Sequence, residues 1–117
     1  MRLRGLLALA VACAVLAPAD ALAENPKLSG TVGPGFTIKL SDAAGNPVKH
    51  VDAGTYDIVI DDRSEDHNFH LTGPGVNKST SVSGTGSTTW KVTLKKGTYR
   101  YVCDPHASSM KGSFKVS

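Results

Sequence analysis

The chain has 117 residues, of which 13 are Lys or Arg and 10 are Asp or Glu, giving a formal net charge of +3. This length accommodates one domain and leaves no room for a second. The charge is too small for a nucleic-acid interface, and no basic cluster appears along the chain. We therefore expect a single small domain that does not bind nucleic acid.

The first 23 residues have the pattern of a secretory signal peptide. The basic start "MRLR" is followed by an apolar run to residue 17 and by "ALA" at 21–23. These three features predict export and cleavage after Ala23, with Ala21 as the alternative site. The apolar run is shorter than the roughly 20 residues of a membrane span. We expect a mature domain over residues 24–117, without a membrane span, in the periplasm or otherwise exported.

The number of cysteines in the mature chain limits the roles that Cys103 can have. Cys13 leaves with the signal peptide, and lipid attachment there is disfavoured because Ala10 stands where such sites favour Leu. Residues 24–117 keep 11 basic and 9 acidic side chains, a net charge of +2, and one cysteine, Cys103. Structural cysteines of exported proteins occur in pairs. Cys103 is therefore a dimer bridge, a reactive group or a metal ligand.

Short runs in which apolar and polar residues alternate recur along the rest of the chain. They are "FTIKL" at 36–40, "TYDIVI" at 55–60, "TWKVTL" at 89–94, "YRYVC" at 99–103 and "SFKV" at 113–116. A period of two indicates half-buried strands. The separating segments, such as "GPG", "AGNP" and "SGTGS", are rich in turn-forming residues. The pattern predicts an all-β sandwich or small barrel.

The same alternation predicts the core. The side chains expected to point inward are Phe36, Ile38, Leu40, Tyr56, Ile58, Ile60, Phe69, Leu71, Trp90, Val92, Leu94, Tyr101, Phe114 and Val116. Burying such side chains contributes about 1.5–3 kcal/mol each before the entropy of ordering the chain is subtracted. We expect this core to fold without a bound metal.

The stretch "SEDHNFHLTGPG" at 64–75 contains two histidines with different expected orientations. On a strand, His67, Phe69 and Leu71 would face the core, whereas Asn68 and His70 would face the other side. A histidine at the core's edge beside acidic residues is unusual as mere packing, although a hydrogen-bonded edge histidine is the alternative. We expect His70 to be exposed and not to bind a metal.

The stretch "CDPHASSM" at 103–110 brings together Cys103, His106 and Met110. With His67, it offers two imidazoles, one thiolate and one thioether, a set that suits copper in a trigonal His₂Cys arrangement with a weak axial Met. The alternatives are an inert thiol or an intermolecular disulfide at Cys103, and a space-filling role for Met110. The polar neighbourhood "SSMKG" argues against core packing of that methionine.

Together the two stretches resemble the small cupredoxins, the plastocyanin, pseudoazurin and amicyanin family. There an "HN" pair ends an early strand, and a "C-x-x-H" loop with a downstream Met joins the last two strands; "HNFH" at 67–70 and "CDPH…MKGSF" at 103–114 match both. The resemblance implies a Greek-key β-sandwich of about seven to eight strands. It also implies one copper ion in a type 1 site held by His67, Cys103, His106 and Met110.

The resemblance extends to Asn68, and the chain departs from it in the length of the metal-binding loop and at Val102. Asn68 matches a residue whose amide links the His67 strand to the Cys103 loop; the alternative for Asn68 is a solvated strand residue. The spacing from His106 to Met110 is one residue shorter than in plastocyanin and one longer than in amicyanin. Val102 replaces the aromatic residue that precedes the cysteine in plant plastocyanins, so a docking route through that aromatic is not carried over.

The expected function is that of a one-electron carrier outside the cytoplasm, cycling between Cu(II) and Cu(I). Its partners would be redox proteins that dock near His106, and the protein would be a monomer. We do not expect an enzyme, since a Cys-His hydrolase needs a general base and an oxyanion hole that the sequence does not supply. The alternatives are copper delivery, storage or resistance, and a metal-free immunoglobulin-like interaction module.

Overall fold

The computed structural model describes residues 24–117, so the predicted signal peptide and Cys13 lie outside the described part of the chain. Strands dominate this part, and one 3₁₀ turn at Asp104–His106 interrupts them. The strands are β1 (Lys27–Val32), β2 (Ile38–Asp42), β3 (His50–Val51), β4 (Gly54–Asp62), β5 (His70–Gly73), β6 (Val76–Ser79), β7 (Gly86–Leu94), β8 (Gly97–Val102) and β9 (Lys111–Val116).

The strands form two sheets that pack face to face. One sheet has the order β2-β1-β4-β7 and the other has the order β3-β9-β8-β5-β6. Two pairs, β1 with β4 and β3 with β9, are parallel, and the remaining pairs are antiparallel. The predicted all-β, cupredoxin-like Greek-key sandwich is confirmed. Residues 24–117 contain nine strands, more than expected, because β3 has two residues and β6, "VNKS", shows no alternation to recognise.

The core lies between the sheets and follows the alternation of each strand. In β4, Tyr56, Ile58 and Ile60 are buried, while the residues between them are partly exposed. Most of the predicted inward side chains are buried. Ile38 and Trp90 are only partly buried but pack against the core.

The prediction for Phe36 is wrong, because its side chain is 70% exposed. The residue lies in the turn that precedes β2, which begins only at Ile38. Strand alternation therefore does not govern the direction of Phe36. Among residues 24–117, the structure contains no helix of the length and apolar character needed to cross a membrane.

Candidate metal centre

His67 lies in the segment between β4 and β5. The predicted strand through this segment is wrong, since β5 begins only at His70, yet His67 and Phe69 are buried as expected. Thr80 fixes the segment: its Oγ1 accepts from the Phe69 N–H at 2.9 Å, and its own N–H donates to the Phe69 carbonyl at 3.0 Å. The Thr80 hydroxyl in turn donates to the buried carboxylate of Asp62 at 3.2 Å. A hydrogen-bonded loop therefore holds His67 without a strand.

Asn68 is also buried, which differs from the outward direction that alternation predicts. Its side chain lies against the Cys103 loop. Its Nδ2 donates to Asp104 Oδ2 at 2.8 Å, and its Oδ1 accepts from the Asp104 N–H at 2.7 Å. The amide thus joins the His67 segment to the loop after β8, as the family resemblance implies.

The loop from Cys103 to Met110 begins where β8 ends and runs into β9. Its two ends meet, because the Cys103 N–H donates to the Met110 carbonyl at 3.0 Å. Inside the loop, the His106 N–H donates to the Cys103 carbonyl at 3.0 Å, and the Met110 N–H donates to the His106 carbonyl at 2.8 Å. Pro105 lies in the first part of the 3₁₀ turn, where its fixed φ is compatible with the turn. These bonds bring His106 back over Cys103.

Three ligand-type atoms converge at this end of the sandwich. Cys103 Sγ lies 3.6 Å from His67 Nδ1 and 3.5 Å from His106 Nδ1, and the two nitrogens are 3.0 Å apart. The circle through the three atoms has a radius of about 2.0 Å, close to metal–imidazole bonds of about 2.0–2.1 Å. Soft sulfur and imidazole nitrogen are suitable donors for copper. The residues present therefore fit a bound copper ion.

Met110, the fourth residue predicted from the sequence, is 1% exposed. The backbone hydrogen bond between Cys103 and Met110 places Met110 at the same end of the sandwich as the three converging atoms. Its burial within a loop of exposed neighbours, Ser108, Ser109 and Lys111, shows that the loop directs this side chain inward. All four predicted residues thus lie at one end of the fold.

Phe36 covers the two histidines, a position that the sequence analysis missed. Its ring centroid lies 5.3 Å from that of His67 and 5.0 Å from that of His106, with both pairs in edge-to-face geometry. Phe36, Val82, Pro105 and His106 border one open cleft of about 510 Å³. The turn-forming "GPG" directly before Phe36 is the sequence signal that could have indicated its departure from the strand.

His70 does not join the cluster. Its Nδ1 contacts Asp104 Oδ1 at 2.8 Å, and its Nε2 contacts Asn77 Oδ1 at 2.6 Å, so both ring nitrogens are occupied. The hydrogen bond to Asp104, followed by that to Asn77, raises the pKa of His70. The same contact, followed by the Asn68 bond, lowers the pKa of Asp104. The fourth histidine, His50, is exposed and contacts Ser117 Oγ.

Comparisons with known proteins agree with this geometry. Residues 35–117 match the family of copper-binding proteins described as the plastocyanin/azurin family. Reduced rusticyanin is 25% identical, with a TM-score of 0.58, and the match covers 78% of each chain. Rusticyanin from Thiobacillus ferrooxidans is 24% identical, with a TM-score of 0.56, and the match covers 78% of this chain and 76% of rusticyanin. At this identity the match supports a shared fold and nothing further. No curated protein matches. The chain therefore belongs to the plastocyanin/azurin family of copper-binding proteins, and copper is its cofactor.

Proposed function

We propose that the protein is an exported type 1 copper protein that carries single electrons between redox partners. The observation that supports this most directly is the convergence of His67 Nδ1, Cys103 Sγ and His106 Nδ1. These residues would hold the copper, with the thioether of Met110 as a fourth, weaker ligand. Copper supplies the one-electron chemistry by alternating between Cu(II) and Cu(I).

The contribution of the chain is to keep the ligands in place in both oxidation states. Cys103, His67 and Met110 are almost completely buried, and backbone or side-chain hydrogen bonds fix the segments that carry them. Because Cu(II) and Cu(I) prefer different geometries, a site that cannot relax toward either preference needs little rearrangement on electron transfer. Small rearrangement favours rapid exchange, which is what a carrier needs.

Docking near His106 follows from how the site meets the surface. His106 is partly exposed, whereas His67 is 3% exposed. Within residues 24–117 the exposed large hydrophobic side chains are Phe36 and Val82, and both border the cleft that contains His106. An apolar surface around a partly exposed ligand allows a partner's redox group to come close. We propose this surface as the electron port, on a monomeric protein that performs no bond chemistry.

Copper titration of the mature domain, residues 24–117, tests the proposal. One equivalent of Cu(II) should give an intense blue to green colour from thiolate-to-copper charge transfer. Cys103→Ser should abolish the band, and His70→Ala should leave it. A colourless titration with Cys103 confirmed as the free thiol would contradict the assignment of the site.

A second measurement distinguishes a carrier from a copper-delivery or storage protein. A carrier should retain its copper against a moderate chelator through repeated reduction and reoxidation. Release of the copper to the chelator during such cycling would favour delivery or storage instead. Colour and copper content, followed in the same sample, decide between the two.

A further inference from the structure

The charges on the two sheets are distributed differently. No strand of the five-stranded sheet, β3-β9-β8-β5-β6, contains an Asp or a Glu. Its central strands β8 and β9 carry Arg100, Lys111 and Lys115, all exposed. The four-stranded sheet mixes both signs, for example Lys39 on β2 and Asp57 on β4. One broad face of the sandwich is therefore cationic.

The register places these three cations together. Arg100 pairs with Ser113, while Val102 pairs with Lys111 and Thr98 pairs with Lys115. Cross-strand partners share a face, so Arg100 lies diagonally between the two lysines, at a typical spacing of about 7–8 Å. No ion pair within residues 24–117 involves any of the three. We call Arg100, Lys111 and Lys115 the cationic face.

The cationic face adjoins the metal centre. Arg100, Val102, Lys111, Gly112 and Ser113 line a cleft of about 360 Å³. Val102 directly precedes Cys103, and Lys111 directly follows Met110. A carboxylate seated between Arg100 and Lys111 would thus lie beside the strands that lead into both sulfur-bearing residues.

We propose that the cationic face docks an acidic region of a redox partner protein, as a second docking surface distinct from the apolar surface at His106. This inference rests on the proposed electron-carrier function. Complementary charge brings partners together quickly and lets them separate, which suits transient exchange. A membrane partner is less favoured, because surface-bound segments insert apolar side chains. The exposed large hydrophobics of the described chain, Phe36 and Val82, lie at the other surface.

Paramagnetic mapping on the copper-free protein tests whether the cationic face is the surface that binds anions. Hexacyanochromate(III), a redox-inert trianion, should broaden the amide signals of Arg100, Val102 and Ser113 at low ionic strength. Arg100→Gln combined with Lys111→Gln should remove this broadening. Lys39→Gln, which removes an exposed lysine from the other sheet, is the matched control and should leave it. Broadening centred elsewhere, or unchanged in the double variant, would overturn the proposal.

Binding of an octaglutamate peptide tests the class of partner. Removal of each cation of the cationic face should weaken the affinity for the peptide by about 1.4- to fivefold, as exposed ion pairs of about 0.2–1 kcal/mol imply. The peptide should also slow oxidation of the Cu(I) protein by hexacyanoferrate(III) in the wild type and in Lys39→Gln, but not in the double variant. Equal slowing in all three proteins would overturn the proposal.

Co-sedimentation with vesicles of mixed phosphatidylglycerol and phosphatidylcholine tests the membrane alternative. Strong vesicle binding that depends on Arg100 and Lys111, without binding of octaglutamate, would overturn the proposal in favour of a membrane surface. Mapping and peptide binding need no copper, so they can fail while the copper titration succeeds. Loss of copper to a chelator during redox cycling would instead count against the carrier function.

Discussion

Asn68 and Asp104 hold each other through two hydrogen bonds, one from the Asn68 amide to the Asp104 carboxylate and one from the Asp104 backbone N–H to the Asn68 carbonyl oxygen. The two residues are 36 positions apart in the sequence, and each is adjacent to a ligand-type residue of the metal centre, His67 and Cys103 respectively. The distance between the side chains of His67 and Cys103 therefore depends on the contact between Asn68 and Asp104.

Asn68→Ala should destabilise the copper-free protein by about 1–3 kcal/mol, because the Asp104 N–H loses its acceptor in a partly buried hydrogen bond. The variant should also shift the visible band of the copper-loaded protein, since His67 and Cys103 are no longer held together. Chemical denaturation and absorption spectroscopy measure the two effects. Asn46→Ala in an exposed turn is the matched control. An unchanged spectrum in Asn68→Ala would contradict the structural role.

The contact of His70 with Asp104 predicts that the pKa of His70 is raised. The pKa of His70 should lie above its ordinary value of about 6.5 in the copper-free protein, because Asp104 and Asn77 hydrogen-bond its ring. Asp104→Asn should lower it. NMR of the ring nitrogens measures the value directly. A pKa at or below 6.5 in the wild type would show that the pair does not form.

The same pair predicts how stability depends on pH. Because folding raises the His70 pKa, its contribution is complete below the unfolded pKa and is lost as pH rises through the folded pKa. Folding lowers the Asp104 pKa, so that contribution is lost as pH falls through the folded value. The melting temperature of the copper-free wild type should therefore exceed that of His70→Gln most clearly near pH 5–6, with a smaller difference at pH 8.

Two phenylalanines provide a matched test of burial. Phe69 is fully buried and stacks on Tyr101 with ring centroids 5.4 Å apart, so Phe69→Ala should cost about 3–5 kcal/mol. Phe36→Ala should change the stability of the copper-free protein by no more than about 0.5 kcal/mol, because the ring is 70% exposed. Urea unfolding of both variants measures the difference. Equal losses would mean that Phe36 belongs to the core after all.

Copper should stabilise a fold that already exists without it. The hydrophobic core between the sheets includes Ile58, Ile60 and Leu71, none of which belongs to the metal centre. The copper-free protein should therefore show the dispersed amide spectrum of a folded sandwich. Copper should raise its melting temperature by binding the native state alone. A collapsed amide spectrum after chelation would contradict this expectation.

The His106 port can be tested without touching a ligand. Ala107→Glu places a carboxylate on the exposed surface beside His106. It should slow electron self-exchange, because two copies then meet with like charges at their ports. NMR line broadening in mixed oxidised and reduced samples measures the rate, and the visible spectrum should stay nearly unchanged. Self-exchange as fast as wild type at low salt would argue against this port.

The sequence predicts the sandwich and the four residues brought to one end of it, because strand alternation and a local Cys-x-x-His pattern are short-range signals. The same reasoning fails at Phe36 and Asn68. Phe36 turns out of the core because a glycine-proline turn, rather than a strand, sets its direction. Asn68 is buried because its partner Asp104 satisfies its polar groups, and a contact across 36 positions leaves no periodic trace in the chain.

The bond between the Cys103 N–H and the Met110 carbonyl ties the two ends of their loop together. Beyond this closure, β8 and β9 continue in regular pairing from Val102 and Lys111 onward. Residues 104–109 take no part in the strand pairing of the sheet. This segment can therefore be replaced by another while Cys103 and Met110 keep their positions. Its length and composition can diverge, changing the chemistry of the metal while the scaffold that supports it stays the same.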